Sequence, residues 1–527
     1  MKNKKMILKQ FVLVILILLP GLSFAQGIIP FPNDYKPEEG TTKFPRKISV
    51  YTQDDEFARL IPVVGKLAGD YFSLEIREAN NNGFVELIRN NSIQNEEGYQ
   101  IKINSQKIRI EAGSPAGCFY GLQSVIQLID GHREEKKLAN AVIEDSPLYE
   151  LRGVMLDESR HFFGKEYVMQ LLDYMAIHKL NIFHWHLTDV PGWRIEIKKY
   201  PLLTTVGGVG NNSNPDAPAT YYTQEEIKEI VEYAQQRFIE IIPEIDMPGH
   251  ATAAVKAYPE YSGGGSERYP DFTFNPGFEG TYQFLTDILS EVTELFPSDY
   301  IHIGGDEVHF GNEQWNKLPE IKDLMNEHQL NTLVDVEHYF LKRMADSVKH
   351  LGKTVMGWDE VMAAGLSNEN TVVMWWRHDK PQLLKEALEK NYPVIMCPRI
   401  PLYLDFVQHE SHQHGRKWQG NFAPIEGVYE FPSERFTGGV DFDSPLIKGI
   451  QGNVWSEVIH TPERLQFMLY PRLSALSEAA WTKEENKSAA SFFGRLTKLT
   501  KIYDKHHVRY YDYMNPQIDK EVPGPQK

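Results

Sequence analysis

Residues 299–307 read Asp-Tyr-Ile-His-Ile-Gly-Gly-Asp-Glu. The first five have the aromatic and β-branched character of a short buried strand. Gly304 and Gly305 then allow a sharp turn, and the acids Asp306 and Glu307 follow side by side. Like charges at close range raise one another's pKa and cost stability. A chain that ends a buried strand on two carboxylates either lets both face water or puts the repulsion to use. The other strand ends decide between these.

Working outward, seven more strand patterns are legible: Arg152–Leu156, Asn181–His186, Glu240–Ile245, Thr354–Gly357, Thr371–Trp375, Pro393–Met396 and Gly449–Val454, with Tyr300–Ile303 between the third and the fourth. Helical patterns separate them, among them Glu166–His178, Thr223–Arg237, Leu330–His350 and Pro381–Lys390. Eight strands alternating with helices predict a (β/α)8 TIM barrel over 147–513. Residues 26–146 alternate as strands and close on a helical run from Ser114, which predicts a small α/β domain without catalytic residue clusters; Ser146-Pro147 marks the boundary. The polar stretch 514–527 is expected to be loose.

Barrel enzymes assemble their sites at the C-terminal ends of the strands. Here every such end is chemically loaded: Asp157 with Arg160-His161, His184 and His186 with Asp189, Asp246 with His250, Asp306-Glu307, Trp358 with Asp359-Glu360, Trp375-Trp376, Tyr403 with Asp405, and Trp455 with Glu457. Carboxylates and arginine suit sugar hydroxyls, and flat tryptophans suit the apolar faces of pyranose rings. Glycoside cleavage needs a protonated acid beside a negative group. An ionised Asp306 would raise the pKa of Glu307, as a general acid requires.

These segments resemble family 20 glycoside hydrolases, the β-N-acetylhexosaminidases, over nearly the whole chain after its N-terminal leader. The resemblance rests on RGVMLDESRHF (152–162), HWHLTD (184–189), PEIDMPGH (243–250), HIGGDE (302–307), GWDE (357–360), LYLD (402–405) and GIQGNVWSE (449–457). It implies exo-acting, retaining hydrolysis in which the substrate's 2-acetamido oxygen is the nucleophile. It also implies Glu307 as general acid and base, Asp306 on the acetamido N–H, and Tyr403 on its carbonyl. Trp358, Trp375 and Trp455 would box the methyl group. Arg160, Asp405 and Glu457 would hold hydroxyls, with Asp189 nearby; Asp246 and His250 would form a pair that tunes Glu307. Trp418 resembles a platform for the next sugar, and Gln451 reads as barrel packing. No cofactor or metal is implied, and the partners would be oligosaccharides or glycoconjugates carrying N-acetylhexosamine.

The bulk properties agree. A net charge of −17 disfavours nucleic acid as a partner. Residues 1–25 carry four lysines, an apolar run and Ser-Phe-Ala before Gln26, the pattern of an export signal. The expectation is therefore a periplasmic or secreted protein with no membrane span. Cys118 and Cys397 read as buried free thiols, although a disulfide is open. Two rival readings are a metal-dependent barrel hydrolase built on His184-x-His186, His250, His302 and Asp306, and a sugar-binding barrel without chemistry. The tryptophans have no purpose in the first, and the intact acid pair argues against the second.

Overall fold

The computed structural model describes residues 27–525, so the expected export signal lies outside the described residues. Eight parallel strands close into a barrel: β1 (Leu151–Asp157), β2 (Ile182–His186), β3 (Glu240–Met247), β4 (Tyr300–Gly304), β5 (Thr354–Trp358), β6 (Thr371–Trp375), β7 (Val394–Met396) and β8 (Ile447–Val454). Each pairs with its sequence neighbours, and β8 closes onto β1 from Gly449–Leu151 to Val454–Leu156. Both faces of such a sheet are covered, so nearly every strand residue is buried, the polar ones included.

Strand alternation then sorts each side chain inward or outward. On β6, Val372 and Met374 join Trp376 in a cluster inside the barrel, with Met155, Ile242, Met356, Trp358 and Ile395. Val373 and Trp375 point the other way, into the larger core beneath the helices. The helices fall where the 3.6-residue pattern put them, as at Lys165–Ile177 and Leu333–His350. The second carries a capping box in which Thr332 and Asp335 exchange hydrogen bonds.

The N-terminal residues form a seven-stranded sheet in the order Asp34–Lys43, Lys137–Asp145, Tyr99–Ile103, Ile108–Ala112, Val85–Arg89, Lys47–Tyr51, Glu75–Glu78. The helix Pro115–Gly131 packs against it, and 13 of its 17 residues are buried. This domain is tied to the bottom of the barrel. Arg152 of β1 donates to both oxygens of Glu97 at 2.7 Å, and the buried Lys179 ammonium donates to Tyr99 at 2.7 Å. Both cysteines are free and buried. The run from Met514, read as loose, is anchored as far as Val522, where Arg464 binds Glu521 at 3.1 Å and the Val522 carbonyl at 2.5 Å. Among the described residues no helix is long and apolar enough to cross a membrane.

Candidate active site

β4 ends at Gly304, which adopts φ +66°; a Cβ there would lie 1.8 Å from Asp246 Oδ1. Only glycine lets β3 and β4 deliver Asp246 and the acid pair to the same point. Gly305 follows at φ +92°, and Glu307 itself sits in the left-handed region at φ 53°. A bulky residue there is held by its surroundings at a cost in strain, as functional residues often are. Asp306 is buried, whereas the Glu307 side chain remains 33% exposed and faces the cleft. Burial first, then the nearby Asp246 carboxylate, push the Asp306 pKa well above the usual carboxylate range. Asp246 is thus the chief charged cause of the shift at Asp306, the acid read from sequence as ionised, and His250 opposes it.

His250 also takes a positive φ, 55°, which turns its ring toward the end of β2. Its Nδ1 lies 3.0 Å from Asp189 Oδ1, while Nε2 lies 3.8 Å from Asp306 Oδ2 and 3.9 Å from Glu307 Oε2. The partner of His250 is thus Asp189, not Asp246 as the sequence suggested. Burial would lower the His250 pKa, but Asp189, then Asp306, raise it to about 9. Asp189 is anchored in turn by Arg160 Nη2 at 2.7 Å and His186 Nε2 at 3.0 Å. Although burial opposes it, Arg160 and then His250 hold Asp189 far below the carboxylate range.

Deeper in the barrel, Glu244 gathers the histidines. It contacts His186 Nδ1, lies 3.0 Å from His184 Nε2 and 2.9 Å from His302 Nδ1, and accepts from Trp358 Nε1 at 3.0 Å. Gln451 bridges His184 and Asn453, as its reading as barrel packing implied. Glu244 was not singled out in the sequence, although it shares strand parity with Asp246. Three sets of buried side chains here have ligand-type atoms within 4.8 Å of one another: His184–Glu244–His302, His186–Asp189–Asp246 and Asp246–His250–Asp306. The first two sets hold direct contacts of 2.9–3.0 Å among their own members.

An aromatic wall adjoins the acids. Trp358 and Trp455 lie 5.7 Å apart by ring centroid, Tyr403 is 6.1 Å from Trp455, and Trp376 stacks on Tyr403 at 6.4 Å and 12°. Trp375 is not part of it: it points outward, and its Nε1 donates to the Lys380 carbonyl at 3.4 Å. The inward neighbour Trp376 takes that place, and its indole N–H donates to Glu360 at 3.0 Å. Asp359 accepts from the Trp376 amide at 3.2 Å and so supports the same ring. At the rim, Arg399 lies over Trp376 at 4.8 Å and over Trp418 at 4.0 Å.

Asp405 and Glu457 complete the ring of side chains. Arg160 does not bridge them; it binds Asp189 and, at 3.4 Å, Asp157, and lies over Trp455 at 5.0 Å. The bridging cation is Arg416, whose Nε lies 3.2 Å from Asp405 Oδ2 and whose Nη2 contacts Glu457 Oε1. Arg416 belongs to a loop in which no motif marked it. Both Asp405 oxygens and Glu457 Oε2 are buried without a protein hydrogen bond. Such groups are costly unless a ligand completes them.

Fold and site together define a (β/α)8-barrel protein with an acidic, tryptophan-walled pocket on its C-terminal face. The chain belongs to glycosyl hydrolase family 20: the family's catalytic-domain model matches residues 149–484 and its domain 2 model matches residues 25–146. It is 32% identical over 520 residues to a β-hexosaminidase of Porphyromonas gingivalis, covering 94% of this chain and 65% of that one. With a Vibrio furnissii β-hexosaminidase it shares 35% over 409 residues, 74% of this chain and 66% of that one. The chain thus spans about two thirds of the length of these curated relatives. Among solved structures, the exo β-N-acetylglucosaminidase of Vibrio harveyi in complex with N-acetylglucosamine superposes with a TM-score of 0.85 at 31% identity, over 93% of this chain and 78% of that one. The Streptomyces plicatus N-acetyl-β-hexosaminidase gives 0.79 at 27%, over 93% and 97%.

Proposed function

We propose that the protein is an exo-acting, retaining β-N-acetylhexosaminidase that removes terminal non-reducing N-acetylhexosamine from oligosaccharides or glycoconjugates. The observation that carries this reading is the aromatic enclosure of Trp358, Trp376, Tyr403 and Trp455 beside the Asp306–Glu307 pair. The named activities of its relatives support it. An enclosure of this kind suits an acetamido methyl, with the Tyr403 hydroxyl available to its carbonyl.

In the first step Glu307 gives its proton to the glycosidic oxygen as the bond from that oxygen to C1 breaks. The acetamido oxygen forms the new bond to C1, closing an oxazolinium ring. With the His250 cation and the arriving acetamido N–H both favouring its ionised form, Asp306 accepts from that N–H and balances the positive charge growing there; no second carboxylate nucleophile is needed. Water then attacks C1 while Glu307 takes its proton, and the ring opens with the original configuration restored. His250, positively charged and within 4 Å of both acids, would hold them in register as charge shifts between them.

The barrel's geometry supports the exo reading. Glu457, after β8, stands across the barrel from Glu307, after β4. With C1 at Glu307, the opposite edge of the pyranose meets Asp405, Glu457 and Arg416, which close the pocket. Trp418 would receive the next sugar on the leaving side. Taken with the N-terminal leader pattern, the place of action would be the periplasm or the exterior.

A reducing-end-labelled chito-oligosaccharide tests this. Loss of one N-acetylhexosamine at a time from the non-reducing end is expected; early internal fragments would contradict the closed pocket.

A further inference from the structure

Arg416, like Trp418, belongs to a long loop rather than to a strand end. Its backbone is fastened at the pocket edge: its N–H donates to the Asp405 carbonyl at 3.3 Å, and its carbonyl accepts from Val407 at 3.2 Å. Below, Arg472 donates to the Leu404, Phe406 and Ala423 carbonyls and fixes the loop's base. From this position the guanidinium reaches back to both acids, yet its side chain stays 44% exposed, so N–H groups remain free.

We propose that Arg416 is a specificity-determining positioning residue that holds Asp405 and Glu457 side by side, so that their free oxygens take the hydroxyls on the C4 and C6 edge of the terminal sugar. This rests on the hexosaminidase reading above. Two buried carboxylates that share an edge repel one another, and each prefers to be neutral. An ionised carboxylate binds a hydroxyl about twice as strongly as a neutral acceptor, so a cation between them sharpens recognition of that edge. The charged groups facing Asp405 are few. Arg416 comes from the loop, Glu457 from the end of β8 and Arg472 from the helix Arg472–Trp481. Burial raises the Asp405 pKa to about 7 even with Arg416 opposing it. Glu457, held below its usual range against burial by Arg416 and then Arg160, depends on the same cation. Arg160 cannot replace Arg416, because its short contact is with Asp189.

The test compares Arg416→Met and Arg416→Lys with wild type on p-nitrophenyl N-acetyl-β-glucosaminide and on its 4-deoxy and 6-deoxy analogues. On the parent sugar, Arg416→Met should raise KM about tenfold or more, as loss of a charge-assisted hydrogen bond does, with a smaller effect on kcat. On at least one deoxy analogue the same substitution should cost no more than about threefold, because the hydroxyl it serves is already absent. Arg416→Lys keeps the charge but reaches only one acid, so its KM should fall between the two. Equal factors on the parent and both analogues, a loss confined to kcat, or no recovery by lysine would overturn the proposal. No turnover of the parent by wild type would instead overturn the hexosaminidase reading and this proposal with it.

Discussion

His250 and Asp189 form the pair that faces the acids: Nδ1 and Oδ1 are 3.0 Å apart, and both residues are buried. Behind them the contacts continue through His186 to Glu244 and, on a second branch, to Arg160. Asp189 therefore sets the charge of His250 and, through it, the field at Asp306 and Glu307.

Asp189→Asn should remove that control. The His250 pKa is raised from 6.5 to about 9, so its contribution to stability is fully present below pH 6.5 and is lost as the pH rises through about 9. Wild-type stability should decline across this window, and the variant, with a lower His250 pKa, should decline less. Turnover should fall about 100-fold as the acid pair loses its register. Urea melts from pH 6 to 10 beside a pH–rate profile measure both; identical slopes would show that Asp189 does not set the charge of His250.

The two neighbouring tryptophans should separate cleanly. Trp376→Ala should cripple turnover of acetamido substrates at modest cost in stability. Trp375→Ala should cost about 3–5 kcal/mol of stability, as large core truncations do, and leave the KM of the folded fraction unchanged. Denaturant midpoints and KM values on the same preparations decide it, and the reverse pattern would restore Trp375 to the pocket.

That contrast shows where the sequence was legible. All eight strands could be placed to within two residues, because β-branched runs bounded by polar turns leave few alternatives. Strand parity was legible as well: Val372 and Met374 face inward, so Trp376 must follow them, and a slip of one residue moves a ring through the barrel wall. The partner of His250 was not legible. It depends on a positive φ that turns the ring across to β2, and neither Asp189 nor Asp246 is distinguished by residue type. Arg416 was further out of reach, since it meets Glu457 41 residues away through the folding of a loop that carries no repeating pattern. Glu244 lay two residues before Asp246, on the same inward face, and alternation alone could have found it.

The role of Glu307 predicts dependence on the leaving group. Glu307→Gln should slow hydrolysis of chitobiose about 100- to 10,000-fold, the usual contribution of a general acid. It should slow cleavage of an aryl glycoside with an activated leaving group far less, since that group departs without a proton. Parallel rate constants on the two substrates provide the check. Equal losses would assign protonation elsewhere.

In the proposed mechanism the substrate's acetamido oxygen attacks C1 inside the aromatic enclosure. The most direct measurement is kcat/KM for a series of aryl N-acyl-β-glucosaminides in which the acetyl methyl carries zero, one, two or three fluorines. Fluorine withdraws electrons from the carbonyl oxygen and weakens it as a nucleophile with little change in size. A steep, monotonic fall across the series is expected, with no appreciable turnover of the plain β-glucoside. A flat series, or efficient cleavage of the plain glucoside, would contradict it.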